Sequence, residues 1–455
     1  MVLYDTVVVG AGFAGLSAAA DLAERGAHVL VLEARSRLGG RATSYKDRAT
    51  GEPIDNGQHV IFGCYHETFR FLRRIGVEQH VRMQASLDVS FVDRANHKGR
   101  FQCPHLPPPL HLIAGVLEWE SLSFKERLEG LQMAWALRLA LLHARGHWRN
   151  RVVTTDETVR EWLIRHGQGP RLRELLWEPL ALAALNQQPD RASAGPFVRV
   201  LAELCGRSLS DAVVGIPVRP LEEFYAEPAR AFIESRGGEV RTNTPAKAVI
   251  TDRQPFGVET HGELVAGRTI ISAVPWFAFP KLFPEPPPAI IRTVAAAAAM
   301  ASSPIATVNL WFDRPVLGAD EPFVGLPGRT MQWVFDKSFT FGSAGSHLSL
   351  VASGAEEIVC LPNDILTRVA VEEVRSAFPP ARQARLLRAT VIRERQATFS
   401  LAFGQPKRPE TKTAINNLFL AGDWIETGLP STIESAVVSG HRAADAVYRV
   451  LSQPT

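Results

Sequence analysis

At 455 residues the chain is longer than a single hydrophobic core usually supports, so the length predicts two domains. Its composition, 46% hydrophobic and 21% charged, is that of a globular protein, and a net charge of +3 is too small to indicate nucleic-acid binding. The four scattered cysteines form no CxxC pair, which argues against a zinc site or a disulfide framework and fits a reducing cytosol with buried, inert thiols.

No segment indicates secretion or a membrane span. The first predicted strand begins by Asp5, without the basic start and cleavage site of a signal peptide. Residues 293–312 are uncharged but include Ser302, Ser303 and Pro304, so they predict the end of a helix followed by a strand at 305–312. We therefore expect a cytoplasmic protein, with peripheral binding to the inner face of the cell membrane as a further possibility.

The amino-terminal segment carries a dinucleotide signature. A strand of β-branched residues is predicted at 5–9, and Gly10, Gly12 and Gly15 follow it as GxGxxG before a helix. In such a turn the first glycine allows the tight bend, the second admits a pyrophosphate, and the third packs helix against strand. Glu33 closes the second strand, where an acid binds ribose hydroxyls and disfavours a 2′-phosphate.

Two further motifs favour FAD over NAD. Leu38-Gly39-Gly40-Arg41 follows the second strand, and its arginine can reach a pyrophosphate or a flavin ring. Near the other end, a strand at 418–421 leads to the Gly422 turn, Asp423 and a helix whose first turn includes Ile433. The start of that helix would direct partial positive charge at a reduced flavin.

Together these motifs, GxGxxG, GGR and AGD…TIESAVVSG, resemble the FAD-dependent amine oxidase and phytoene desaturase superfamily over nearly the whole chain. The resemblance implies an α/β fold, with a Rossmann-like FAD-binding domain of the glutathione-reductase type interleaved with an α+β substrate domain. It also implies Glu33 on the adenosine ribose, Asp423 near the pyrophosphate and ribityl chain, and the backbones of Ala246 and Ile433 at the adenine and the flavin. The candidate cofactor-binding set is Gly10, Gly12, Ala14, Gly15, Glu33, Ala34, Arg35, Gly39, Gly40, Arg41, Asn56, Gly57, Gln58, His59, Ala246, Gly422, Asp423 and Ile433.

The predicted FAD-binding domain is discontinuous. Residues 1–85, 215–275 and 395–455 are expected to form it, because the middle segment again shows a helix, a Gly-Gly stop and short strands. Residues 86–214 and 276–394 should then form the substrate-binding domain.

The segment DNGQH, Asp55 to His59, is unusually polar for its position. In the superfamily that it resembles, the chain here runs along the flavin, so Asn56 and Gly57 would allow close approach to the ring. Gln58 and His59 would then point toward the reactive side of the flavin or toward the substrate. A metal site lacks partners of suitable spacing, whereas a purely structural, hydrogen-bonded His59 is a serious alternative.

Departures from the amine oxidases narrow the function. Ala306 stands where those enzymes usually carry a lysine, and Thr432 where they carry an aromatic ring. By contrast, DNGQHVIFGCYHETFRFLRRIG, LWEPLALAALNQQPDRASA and RERQATF look closely like the squalene-associated FAD enzymes of bacterial hopanoid synthesis, the hydroxysqualene dehydroxylases. That resemblance implies reductive removal of the allylic hydroxyl of hydroxysqualene to give squalene. A phytoene-type carotenoid desaturase and a flavin-binding scaffold in an isoprenoid assembly are the alternatives.

Such a reaction needs a proton donor, a dry apolar tunnel and a source of electrons. The candidate acids are His59, Asp55 and Glu178. With one dinucleotide motif in the chain, electrons would come from transient NAD(P)H or from a separate reductase. Apolar residues that could line a tunnel or simply form core are Trp177, Pro179, Leu180, Leu182 and Leu185.

A long isoprenoid substrate resides in the bilayer, so a membrane-binding segment is a further expectation. Residues 107–119 are apolar and aromatic, with Leu112 and Ile113 near their centre. The helix predicted next places apolar residues near lysines and arginines and could lie in a membrane interface. Packing into the substrate domain explains the pattern equally well. The apolar residues of this helix are Leu131, Trp135, Leu139 and Leu142.

Overall fold

The computed structural model describes residues 3–47, 51–143, 156–206, 208–250, 256–342 and 346–453, with the side chains of residues 134–143 and 250 left aside. The strands are β1 (Leu3–Val9), β2 (Val29–Leu32), β3 (Ser44–Lys46), β4 (Pro53–Asp55), β5 (Ile61–Phe62), β6 (Val81–Met83), β7 (Asp88–Val92), β8 (Lys98–Gln102), β9 (Val214–Pro217), β10 (Glu239–Arg241), β11 (Ala248–Ile250), β12 (Gly257–Thr260), β13 (Glu263–Ser272), β14 (Ser302–Phe312), β15 (Phe323–Gly325), β16 (Trp333–Asp336), β17 (Ser346–Ser353), β18 (Leu386–Phe399) and β19 (Leu418–Leu420). The helices are α1 (Phe13–Glu24), α2 (His66–Arg74), α3 (Leu110–Glu118), α4 (Phe124–His143), α5 (Val159–Arg165), α6 (Pro170–Leu172), α7 (Glu178–Leu185), α8 (Ala194–Leu204), α9 (Glu227–Glu234), α10 (Ile291–Ala299), α11 (Ser338–Phe341), α12 (Asn363–Ala377) and α13 (Ile433–Leu451).

The first sheet has the order β10-β2-β1-β13-β12-β11, with β19 paired to β13. Strands β10, β2, β1, β13 and β19 run parallel, and β11 and β12 form an antiparallel extension. The residues of β2 and most of those of β1 are buried, as expected for parallel strands covered on both faces. The strands come from three distant stretches of chain. The predicted strand at 5–9 and the predicted second strand, which Glu33 closes, are both confirmed.

Helix α13 packs closely against α1. A β-carbon at Gly440 would lie 2.3 Å from Ser17 Oγ and 2.4 Å from the carbonyl oxygen of Ala14, so only glycine fits at this crossing. Because β19 lies beside β13 and α13 lies on α1, the carboxy-terminal motif reaches the same edge of the sheet as the GxGxxG turn.

The second sheet has the order β18-β14-β17-β16-β15-β7-β8. Helix α12 packs on one face through an apolar cluster that includes Val308, Leu310 and Leu350. The strand predicted at 305–312 is confirmed as part of β14. Strand β18 continues to Phe399 and so includes residues 394 and 395, where the sequence predicts a domain boundary; the division into domains stays a prediction.

Two π-helical turns interrupt helices, at Arg173–Trp177 and Glu222–Ala226. Each is followed by Glu-Pro, with Pro179 and Pro228 one residue into the next helix. Proline has no N–H to donate to the carbonyl four residues earlier, so the α-helical hydrogen-bond ladder cannot continue through it. Such π turns occur often at functional sites.

Candidate active site

Of the three glycines of the GxGxxG turn, Gly12 is the one at which a β-carbon would meet no close neighbour. Gly10 has φ +107°, and a β-carbon on it would lie 2.9 Å from the Ala273 carbonyl oxygen. At Gly15 a β-carbon would lie 1.9 Å from the Gly10 carbonyl oxygen, which closes the helix onto the strand. A β-carbon at Gly12 would be in ordinary van der Waals contact, 3.9 Å from the Gly39 carbonyl oxygen and from Gly40 Cα, so the neighbouring chain does not close the turn where the signature places a pyrophosphate.

Glu33 lies at the end of β2 with its carboxylate against this turn. Its Oε2 accepts a hydrogen bond from the Ala11 amide and its Oε1 from the Arg35 amide, both at 3.0 Å. Ala34 and Arg35 themselves are exposed, and Ala14 is buried in α1. The carboxylate is therefore held at the turn, and its contact with a ribose stays a prediction.

The GGR loop is bound to the carboxy-terminal motif. Gly39 and Gly40 have φ +101° and +59°. Arg41 forms an ion pair with the buried Asp423, and its Nη1 donates to the Ala397 carbonyl at 3.0 Å. Asp423 also accepts a hydrogen bond from Ser431, so it joins the loop to the residues before α13.

The carboxy-terminal motif has the predicted local form. Gly422 has φ +142° after β19, and α13 begins at Ile433, where Thr432 Oγ1 accepts from the Ser435 amide at 3.1 Å. Ala246 precedes β11, is partly buried and packs against the first core cluster. The space at Gly12, the acid at the end of β2 and the helix start at Ile433 fit an extended dinucleotide with a flavin at one end.

Asp55 is the centre of a buried polar cluster. Its Oδ1 accepts from Ser44 Oγ at 2.6 Å and from the Leu221 amide at 3.1 Å, and its Oδ2 accepts from Lys337 Nζ at 2.9 Å. Asp55 therefore forms a buried ion pair with Lys337 and two further hydrogen bonds, and its role as a proton donor stays a prediction.

Asn56 and Gly57 connect the DNGQH segment with its neighbours. Asn56 Nδ2 donates to the Arg41 carbonyl at 2.8 Å and to Glu394 Oε1 at 3.2 Å, which connects the GGR loop with β18. A β-carbon at Gly57 would lie 3.8 Å from Thr307 Oγ1, a buried hydroxyl without a hydrogen-bond partner in the described protein. The side chain of Asn56 therefore links the segment to the GGR loop and to β18, and Gly57 lies close to Thr307.

His59 lies beside this cluster, and its surroundings lower its pKa. Burial lowers the pKa of His59 to about 4, with Lys337 lowering it further and Asp55 opposing the shift. Its Nδ1 is buried and has no partner among the described residues. Since this shift favours the neutral imidazole over the more acidic imidazolium, it makes His59 a weaker proton source, and its role as a general acid stays a prediction.

Glu178 lies on a different element from the other two candidates. It begins α7, lies 3.5 Å from Arg160 as a partly exposed ion pair, and its neighbours Trp177 and Pro179 contribute to a cavity that it does not line. All three acids stay hypotheses, and the structure favours none of them.

A cavity of about 560 Å³ lies against the second sheet, the helices α3, α4, α7 and α8, and the end of the DNGQH segment. Of the five predicted tunnel residues, Trp177, Pro179 and Leu180 line it, whereas Leu182 and Leu185 are buried in the core. Across the sheet, Val351, Trp333, Gly325 and Phe91 stand opposite one another in one row of its wall. The wall is almost entirely apolar; its other residues include Val60, Phe62, Leu87, Leu112, Ile113, Val116, Trp119, Leu176, Val214, Phe323 and Phe335.

Sequence reasoning missed two residues that shape the site. Lys337 follows β16, and a single lysine after an apolar strand carries no recognisable motif. Tyr225 lies in the second π turn and donates to the carbonyls of Gly39 and Ala42, both at 2.9 Å, which supports the GGR loop.

Within the described ranges no group of three or more His, Cys, Asp or Glu could hold a metal. Three of the cysteines are buried as expected, but Cys360 is exposed.

Residues 13–448 match the family of flavin-containing amine oxidoreductases. The chain belongs to this family. It is therefore an FAD-dependent oxidoreductase of α/β fold, as the amino-terminal and carboxy-terminal motifs predicted.

Several relatives are similar over nearly the full length of this family member. The chain is 31% identical to hydroxysqualene dehydroxylase of Sinorhizobium fredii, covering 96% of this chain and 97% of that protein. It is 29% identical to hydroxysqualene dehydroxylase of Zymomonas mobilis, with 97% and 98% covered. The chloroplastic/chromoplastic 15-cis-phytoene desaturase of an Oncidium hybrid is 26% identical, with 98% and 78% covered. Among solved structures, an oxidoreductase from Methanosarcina mazei has the same fold, with a TM-score of 0.75, 17% identity and 98% and 100% covered.

Proposed function

We propose that this flavoenzyme removes the allylic hydroxyl of hydroxysqualene reductively and releases squalene and water. The observation that carries the proposal is the large apolar cavity, whose wall meets the DNGQH segment at Gln58. A cavity of this character takes a long hydrocarbon chain. The similarity to the two hydroxysqualene dehydroxylases supports the choice within the isoprenoid substrates.

The reaction exchanges a C–O bond for a C–H bond. Bound FAD, once reduced, supplies the hydride for the carbon, and one proton leaves with the hydroxyl as water. The residues of the wall contribute by excluding water, because an allylic carbon that is losing its hydroxyl is readily recaptured by water. The electrons must come from NAD(P)H or a reductase, since the one dinucleotide site is assigned to FAD.

Anaerobic photoreduction tests this proposal directly. We expect hydroxysqualene, added to the photoreduced FAD-loaded protein, to restore the absorbance of oxidised flavin and to yield squalene in an amount equal to the flavin. Squalene itself, which has no hydroxyl to lose, is the matched control and should leave the flavin reduced. If hydroxysqualene also leaves it reduced, the proposed reaction is excluded.

A phytoene-type desaturation is the second candidate, because the Oncidium desaturase is also similar over most of its length. It would run in the opposite redox direction, with the oxidised flavin bleached by phytoene. A scaffold would show neither change. Hydroxysqualene added to the photoreduced protein and phytoene added to the oxidised protein, both without oxygen, therefore separate the three functions.

We also propose that α3 and the start of α4 contact a membrane surface. Leu110 and Leu117 on α3, with Phe124 and Leu128 on α4, are exposed, while Leu112 and Ile113 line the cavity. Helix α3 thus has the cavity on one side and an exposed apolar surface on the other. A substrate could enter the cavity from the membrane beside this helix. The side chains of Trp135, Leu139 and Leu142 lie outside the described residues. In the part of the chain described, no helix is long and apolar enough to cross a bilayer.

Liposome flotation tests the surface. Leu110→Glu combined with Phe124→Glu should reduce the fraction that floats, since these side chains are 53% and 74% exposed and would lose their contact with lipid. Leu387→Glu, at an equally exposed leucine on β18, is the control and should float as the unmodified protein does. Equal flotation of all three would exclude this surface. Leu112 and Ile113 are unsuitable targets because a charge there would enter the cavity.

A further inference from the structure

Gln58 is unusual in the wall of the cavity. Among the described lining residues, only Gln58 and Ser353 carry an amide or a hydroxyl. The other polar side-chain groups are the indole nitrogens of Trp119, Trp177 and Trp333 and the thiol of Cys205. Few residues of the described wall can therefore form a hydrogen bond with a bound molecule.

Lys337 fixes which way the Gln58 amide points. Lys337 Nζ donates to Gln58 Oε1 at 2.8 Å, and an ammonium group can only donate, so the amide oxygen must face the lysine. Lys337 is only 3% exposed, and its charge is balanced by Asp55 at 2.9 Å. The hydrogen bond from Lys337 to the amide oxygen therefore determines the orientation of the Gln58 amide.

The nitrogen of that amide keeps one donor available. Nε2 donates to the carbonyl of His59 at 3.1 Å, which uses one of its two hydrogens. The second hydrogen has no partner among the hydrogen bonds of the described protein. Gln58 lines the cavity, and with its oxygen turned toward Lys337 the uncommitted N–H is the group that a bound molecule could engage.

We propose that Gln58 recognises the oxygen of an alcohol substrate by donating this hydrogen bond, and that Lys337 is the positioning residue that holds the amide for it. The inference rests on the proposed function and identifies the group that distinguishes the substrate from its product. A hydrocarbon of the same skeleton offers no acceptor to Gln58 and gains nothing from it. Substrate would therefore be held more tightly than product at the same place.

Binding to the oxidised FAD-loaded protein measures this preference without turnover. Trp119, Trp177 and Trp333 line the cavity, so their fluorescence reports its occupancy. The quantity of interest is the ratio of the Kd of squalene to that of hydroxysqualene. Gln58→Leu should weaken hydroxysqualene binding by roughly 2- to 12-fold, the range expected for one neutral hydrogen bond, and leave squalene binding unchanged.

Two further variants separate recognition from general packing. Ser353→Ala removes the hydroxyl among the described residues of the wall and should change the binding of both molecules by the same factor. Asp55→Asn combined with Lys337→Met removes both charges together, so that neither is left unpaired, and should reduce the ratio because the amide is no longer held. A merely structural Lys337 would change both affinities and leave the ratio intact.

The outcomes distinguish this inference from the proposed reaction. An unchanged ratio in Gln58→Leu, or an equal loss of selectivity in Ser353→Ala, overturns the role of Gln58 whether or not the enzyme reduces hydroxysqualene. An unchanged ratio in the Asp55/Lys337 double variant overturns the role of Lys337. If the flavin of the unmodified protein fails to reoxidise with hydroxysqualene, the proposed reaction falls, whereas a selective loss in Gln58→Leu would still establish recognition of an alcohol.

Discussion

Gly12→Val is expected to give a folded protein that purifies without its yellow colour. The space at Gly12 is bounded at 3.9 Å by Gly39 and Gly40, so the protein itself can accept a β-carbon there. The valine methyl groups would instead fill the volume assigned to the pyrophosphate, which the backbone must approach closely. The expected result is near-complete loss of FAD, measured as the flavin-to-protein absorbance ratio, with an unchanged far-UV circular dichroism spectrum.

Two glycines provide controls for this experiment. Gly195, at the start of α8, has nothing within 4 Å of the position that a β-carbon would take, so Gly195→Val should keep its FAD. At Gly15, where a β-carbon would meet the Gly10 carbonyl oxygen at 1.9 Å, Gly15→Val should disrupt folding itself. A Gly12→Val protein that retains the flavin content of the unmodified protein would contradict the assigned pyrophosphate position.

Lys337→Met is expected to destabilise the protein by about 3–5 kcal/mol, because it leaves the carboxylate of Asp55 buried without its counter-ion. The two charged groups are 2.9 Å apart, with side chains 3% and 6% exposed. Adding Asp55→Asn should recover a large part of this loss, since no charge then remains in the cluster. Urea unfolding at saturating FAD measures the change in the free energy of unfolding for each variant.

An exposed ion pair calibrates this measurement. Arg73 Nη1 lies 2.8 Å from Glu78 Oε1, but both side chains are about half exposed. Arg73→Met should therefore cost less than about 1 kcal/mol. A similarly small effect of Lys337→Met would mean that the buried pair is solvated in solution, and the orientation argued for Gln58 would lose its basis.

The first βαβ unit was predictable because its signals are local. The strand at Leu3–Val9, the glycines and Glu33 lie within a short stretch, and each has one physical explanation. The strand β14 was also predictable, since a run of β-branched and apolar residues favours a buried strand.

The proton donors could not be judged from the sequence, because protonation depends on neighbours that are distant along the chain. Asp55 and Lys337 are separated by 282 positions. The sequence alone does not show that Asp55 is paired with Lys337, or that burial lowers the pKa of His59. Likewise, helical spacing grouped Leu182 and Leu185 with Leu180, and only packing showed which of them faces the cavity. Packing was also needed to show which residues of α3 are exposed and which line the cavity.

The close packing of α13 on α1 has a consequence for the order of events during synthesis. Helix α1 ends at Glu24, but the glycine that it packs against is Gly440, and the β19 strand beside β13 is complete only at Leu420. At about 5–20 residues per second, a ribosome needs on the order of 20–80 s to make the intervening chain. Throughout that interval one side of α1 and one edge of the first sheet await partners not yet made. Nascent chains stalled before residue 418 should therefore be more sensitive to aggregation than the finished protein.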